Sequence, residues 1–202
     1  MKTTNMKKPK WPVFQITNDK PGPLLRDFSV YIDYLLESTF FLSSPLAYLP
    51  GENLLELNRK MLYASPQTTS RVSQLHYPLL HLFYYLVIDG KLFKKVPVQG
   101  RKVQLQPTDR LEQFRNLTPV EQYFFLLETF WIDLDWSKIQ AKEWVYPPTY
   151  AVSRGLEYLS TKKPGEEISS RTEAEGRDIF QESDIFWNWG YFLLYGDRKS
   201  VV

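Results

Sequence analysis

The sequence predicts a mainly α protein with a small β-hairpin, and three observations carry that reading. Apolar residues recur at helical spacing in several separate stretches. One intervening stretch is extended in character and folds back at Gln99-Gly100. The third observation is residues 117–136, LTPVEQYFFLLETFWIDLDW, a helix with an unusually complete start signal. Thr118 suits the N-cap, Pro119 the first helical position, and Glu121, three residues after the cap, completes a capping box.

The other elements follow in order. After Pro21 and Pro23, the residues Leu24, Phe28, Tyr31 and Leu35 form one helical stripe, widened by Leu25, Ile32 and Leu36, and the helix ends near Ser38. Thr39 to Leu42 reads as a strand or extended segment, and Pro45, Pro50 and Gly51 punctuate the turn after it. A second helix is expected from Asn53, with Asn53 as cap, Glu56 as its capping-box partner, and Leu54, Leu57 and Met61 on the buried edge. A third spans residues 79–89, with Pro78 either at its first turn or kinking a longer helix, and Asp89-Gly90 as its end. Residues 92–98 and 101–106 then form the hairpin. A two-residue turn sets Val96 opposite Val103 and gathers Lys95, Lys102, Gln104 and Gln106 on the other face. A short helix over 108–115 precedes the capped helix at 117–136. Val152, Leu156 and Leu159 predict a further helix over 150–160.

The succession of helix, short strand, helix, helix and hairpin resembles a winged helix-turn-helix domain over residues 23–136. The third helix at 79–89, Gly90 as its stop, and LFKKVPVQGRKVQLQ as the wing carry the resemblance. In that superfamily the third helix commonly enters the DNA major groove and the wing contacts backbone or minor groove, while many members bind only protein. The third helix here offers no Arg, Lys, Asn or Gln between Leu79 and Ile88 for reading bases. It has two apolar stripes instead, Leu79, Leu82, Phe83 and Leu86 on one side and His81, Tyr84, Tyr85 and Ile88 on the other, so both sides call for cover.

The expected organisation is a flexible basic arm (1–20), a winged-helix-like helical domain (21–160), a polar linker (161–176) and an aromatic C-terminal segment docking on the core (177–202). Aromatic residues make up 16% of the chain, which predicts ring-on-ring packing rather than a Leu and Ala lattice. Without cysteine there is no disulfide, thiolate metal site or cysteine nucleophile, and a cytoplasmic location is the default expectation. Lys2, Lys7, Lys8 and Lys10 are followed by no apolar run, so no secretory signal is expected, and the longest apolar run is too short for a bilayer.

Charge is unevenly distributed. Residues 91–115 hold seven basic and two acidic side chains (+5), and residues 164–184 hold two basic and seven acidic ones (−5). Lys94, Lys95, Arg101 and Lys102 on the hairpin are therefore candidate contacts for a nucleic acid or other anion, with the acidic segment an equally good internal partner. His76 and His81 are five residues apart, which places them on different faces, unlike the paired histidines of a zinc helix. Glu121, Glu128 and Asp135 line one side of the capped helix as a solvated acidic face. No Gly-rich phosphate loop or nucleophile elbow is present, so no metal, cofactor or catalytic residue is assigned.

On the capped helix, Val120, Tyr123, Phe124, Leu127, Phe130, Trp131 and Leu134 form a broad stripe for the core. Phe125 and Ile132 fall on the acidic side, where a second surface must meet them. These two and the aromatic pair Trp187 and Trp189 are the candidate interface. The expected function is a non-enzymatic protein-interaction or assembly module that self-associates; the alternative is a nucleic-acid-binding protein using the basic hairpin.

Overall fold

The computed structural model describes residues 16–20, 23–43, 46–67, 69–98, 102–135, 138–139 and 161. The expected helix at 150–160, the polar linker and the aromatic C-terminal segment lie outside the described residues, apart from Thr161. What is described is mainly α with one two-stranded antiparallel sheet; the helices and hairpin follow in the expected order, and residues 39–42 are extended chain rather than a strand.

Helix α1 (Leu24–Glu37) buries Leu24, Leu25, Phe28, Tyr31, Ile32 and Leu35, the stripe read from the sequence except for Leu36, which is exposed. It also buries Asp27. That carboxylate accepts hydrogen bonds from Leu62 N at 3.0 Å and Tyr63 N at 3.3 Å, pinning the chain that leaves the next helix. Desolvation raises the pKa of Asp27, and the two backbone N–H groups act in the opposite direction.

Helix α2 (Gly51–Lys60) begins two residues before the expected cap, with Pro50 in the cap position. Asn53 and Glu56 serve a different contact: Asn53 Nδ2 donates to the Tyr34 hydroxyl at 2.9 Å, which donates to Glu56 at 3.0 Å. The apparent capping box therefore joins α2 to α1. The early start depends on Gly51, because a Cβ there would collide with the Ser70 carbonyl.

Helix α3 (Pro78–Asp89) takes Pro78 in its first turn, where the missing N–H costs no helical bond. Every residue from Leu79 to Val87 is buried, so both expected stripes are covered. Phe83 meets Phe28 and Tyr31 edge-on, with ring centroids 5.2 and 5.6 Å apart. The helix ends at Gly90, yet Gly90 has φ −69° and the left-handed residue is Lys91, at φ 57°. Gly90 is needed for closeness instead: a Cβ there would sit 2.5 Å from Leu86 O, with Thr129 Oγ1 at 3.3 Å and a Phe125 ring carbon at 3.4 Å.

Strands β1 (Phe93–Pro97) and β2 (Val103–Pro107) pair with Val96 opposite Gln104 and Lys95 opposite Leu105. This corrects the expected register by one residue. Val98 N donates to Lys102 O at 2.9 Å, leaving residues 99–101 as a three-residue connection rather than a two-residue turn. The extended segment before α2 reaches the sheet through one bond, Leu42 N to Val103 O at 2.8 Å.

Helix α4 (Asp109–Arg115) leads to α5 (Pro119–Glu128), where Thr118 and Glu121 form the predicted capping box. The predicted single helix over 117–136 changes character at Thr129, where a π turn runs to Asp133 and Leu134 N reaches Thr129 O at 2.9 Å. Leu126, Phe130 and Leu134 are all buried, at intervals of four. A uniform α-helix would rotate such a row steadily out of the core, and the wider π turn brings Leu134 back beneath it.

Candidate functional site

Three features could carry a function: the basic hairpin, the outer side of α5, and a buried polar seam around His81. The register decides the first. Partners across an antiparallel pair share a face, and a slip of one residue moves every side chain to the opposite side. Lys94, Val96, Gln104 and Gln106 therefore share one face, with Lys102 continuing it, while Lys95 lies on the other with Phe93 and Leu105. The predicted grouping of Lys95 with Lys102, Gln104 and Gln106 is not what the strands present.

Lys95 turns toward α3, its ammonium 5.1 Å from the centre of the Tyr84 ring. Partial burial lowers its pKa against the opposing pull of the Asp89 carboxylate. The ammonium of Lys102 stands 4.5 Å from the centre of the Phe41 ring. Lys94 is exposed, and Arg101 lies outside the described residues.

The outer side of α5 departs from the expected division of the helix. Val120 (44% exposed) and Phe124 (55%) face outward although the sequence assigned them to the core stripe, and Ile132 (73%) faces outward as expected. Together with Glu128 they form a row at intervals of four. Glu121 and Asp133 are exposed beside it. Phe125, expected in this interface, is instead half-buried within the chain. Its ring packs 5.2 Å from that of Phe114, with the Arg110 guanidinium 5.1 Å from its centre. Helix α4 and the close approach at Gly90 supply the second surface that Phe125 required. Trp187 and Trp189 lie outside the described residues.

The error over Phe124 has a physical origin. Seven apolar residues in a broad stripe cannot all face one core, and the small or polar residues that pack at Gly90 and α1 decide which edge is inside. Thr129 is buried, and the Gln122 amide donates to Phe114 O and Leu117 O at 3.2 Å each. A reading that weighted Thr129 with Leu126 and Phe130 would have rotated the inner face toward its true position.

The third feature escaped the sequence reading except for its histidine. His81 is fully buried, with Nε2 2.8 Å from Ile139 O and Nδ1 3.1 Å from Gln74 Nε2. A carbonyl only accepts, so Nε2 carries the proton and Nδ1 accepts from the Gln74 amide. Gln74 Oε1 in turn accepts from Leu49 N at 3.0 Å. Beside this chain, Tyr85 donates to Lys138 O at 3.1 Å and Tyr84 to Ala47 O. Burial lowers the His81 pKa to about 4, so the ring is neutral and both nitrogens are engaged. The seam ties α3 to the loops on either side of α2 and to the chain after α5. It is a structural element.

Two clefts remain. One, about 290 Å³, lies by Gly51 among Ser70, Arg71, Ser73 and Gln74, and the other, about 260 Å³, lies between α1 and α4. Neither lining holds a histidine, and the one carboxylate, Asp33, is paired with Arg115. Among the described residues no group of three His, Cys, Asp or Glu side chains could hold a metal ion, and no helix is long and apolar enough to cross a membrane.

Compared with protein-family models, curated proteins and solved structures, the chain matches none.

Proposed function

We propose that this protein is a non-enzymatic, self-associating interaction module of winged-helix type, suited to the cytoplasm, and that the outer side of α5 is its docking surface. The row of Val120, Phe124 and Ile132 on one helix supports this most directly. Single exposed apolar residues are ordinary on any protein, but a Phe and an Ile this exposed in one helical row form an anchor of the kind that interfaces bury. The rival reading is nucleic-acid binding by the hairpin; there the register exchanges Lys95 for Lys94 beside Lys102, which leaves two lysines on that face with no third to extend the patch.

Sedimentation velocity over a range of concentrations tests the reading. The unmodified chain is expected to shift to a faster species as concentration rises, and a Phe124→Ser/Ile132→Ser variant to remain monomeric with an unchanged unfolding midpoint. A chain that stays monomeric throughout, or a double variant that associates as well as the original, overturns it.

A further inference from the structure

The exposed side of α5 is not merely apolar. Its exposed residues are Val120, Glu121, Phe124, Glu128, Ile132 and Asp133, and residues 117–136 contain four acidic side chains and no basic one. Glu121 holds the capping box, and among the described residues none of these three carboxylates forms an ion pair. Two copies of this helix face to face would set acid against acid, which disfavours the simplest symmetric pairing. The surface calls for a partner with aromatic anchors and a positive rim.

Outside the described residues, one segment sets three lysines beside two aromatic anchors. Residues 7–14, KKPKWPVF, carry Lys7, Lys8 and Lys10 beside Trp11 and Phe14, and they precede Ile16, which packs against the core. The C-terminal alternatives fit less well. Residues 164–184 have the same charge sign as α5, and residues 186–195 are aromatic but hold no charge to match the carboxylates. Pro9 and Pro12 favour an extended conformation with little entropy left to lose on docking. The lengths also agree. From Val120 to Ile132 the row runs about 18 Å at helical rise, and residues 8–14 in extended form span about 20 Å.

We propose that the occupant of the α5 docking surface is the basic arm, residues 7–14, of a second copy of this chain, with Trp11 and Phe14 on the apolar row and the lysines beside Glu128 and Asp133. The proposal rests on the reading of α5 as a self-association surface and names the element that fills it.

A charge exchange in the full-length chain tests it by sedimentation. One variant carries Lys7→Glu, Lys8→Glu and Lys10→Glu, and the other Glu128→Lys and Asp133→Lys; the capping residue Glu121 is left alone. Each variant by itself is expected to associate at least about tenfold more weakly than the original chain. An equimolar mixture of the two should recover the association, because each arm then meets an α5 of opposite sign. If the arm variant associates normally while Phe124→Ser/Ile132→Ser does not, the arm is the wrong occupant and the docking surface stands. If the arm variant associates normally but loses affinity for a random-sequence DNA duplex, the lysines serve nucleic acid and the proposal is likewise overturned. If the original chain is monomeric, the underlying reading fails with it.

Discussion

Helices α3 and α5 are both rich in aromatic and aliphatic residues, yet the fold treats them in opposite ways. From Leu79 to Val87 every residue of α3 is buried, whereas Leu126 is the only fully buried residue between Pro119 and Glu128. Their starts differ in the reverse sense. Helix α5 has a complete capping box, and α3 begins at Tyr77 with no side-chain cap at all. A helix enclosed on all sides is held by packing, and its first turn can rely on Pro78 and the preceding 3₁₀ turn, Gln74–His76. A helix covered on one side gains less from burial, so its local start signal carries more of its stability. The two regions teach that apolar content predicts that a helix will pack against the fold, but not how many of its sides the fold covers.

Truncating one ring on each helix gives the largest expected contrast. Phe83→Ala removes a fully buried ring that contacts Phe28 and Tyr31 and should cost about 3–5 kcal/mol in urea denaturation. Phe124→Ala in dilute solution should change stability by about 0.5 kcal/mol or less. Comparable costs at the two sites would erase the distinction drawn between the helices.

A smaller effect should follow acidification, and it belongs to α3. The His81 pKa is depressed from 6.5 to about 4 on folding, so the unfolded chain takes up a proton at higher pH than the native one. The stabilisation is complete above pH 6.5 and is lost as the pH falls toward 4, amounting to about 3 kcal/mol across that window. The raised pKa values of Asp27 and Asp89 act with the opposite sign, since the native state gains protons first as those groups titrate. Chemical denaturation at pH 7 and pH 4.5 isolates the histidine: His81→Gln should be clearly less stable than the original chain at the higher pH, with the gap narrowing at the lower. A gap independent of pH would mean that His81 does not supply the dependence.

The smallest contrast concerns the cap. Thr118→Ala should cost about 1 kcal/mol by removing the hydroxyl that accepts from Glu121 N and the partner of the Glu121 carboxylate. It should also increase amide exchange in the first turn of α5 while leaving α3 unchanged. A uniform rise in both helices would show that the start of α5 is held by the global fold rather than by its cap.

Much of this fold was legible because its signals are local. The inner edge of α1 and the Thr118–Glu121 box each depend on residues within about one helical turn of one another and appear as expected, and of the two places open to Pro78 the fold takes the first turn of α3. The misread features are those where a local pattern competed with a distant partner. Asn53 and Glu56 have capping-box spacing, but Tyr34 claims both and the contact of Gly51 with Ser70 sets the helix start. The hairpin differs by one residue of turn length, and that single residue moves Lys95 away from Lys102. The polar seam was invisible beyond His81, because Gln74, Leu49 and Ile139 meet it only after the chain has folded.

By itself, then, the sequence determined the element types, the mainly α class with its hairpin, the charge on each surface segment and the amount of apolar surface needing cover. These follow from propensity, period and composition, which act over a few residues. Only the tertiary structure decided which side of α5 faces inward, that Phe125 is satisfied by α4, and that Phe124 joins Ile132 in the open. Those outcomes depend on close approaches such as Gly90 against Thr129 and on the π turn that returns Leu134 to the core. A helical stripe states how much surface calls for cover; the neighbours that reach it first determine which part remains exposed.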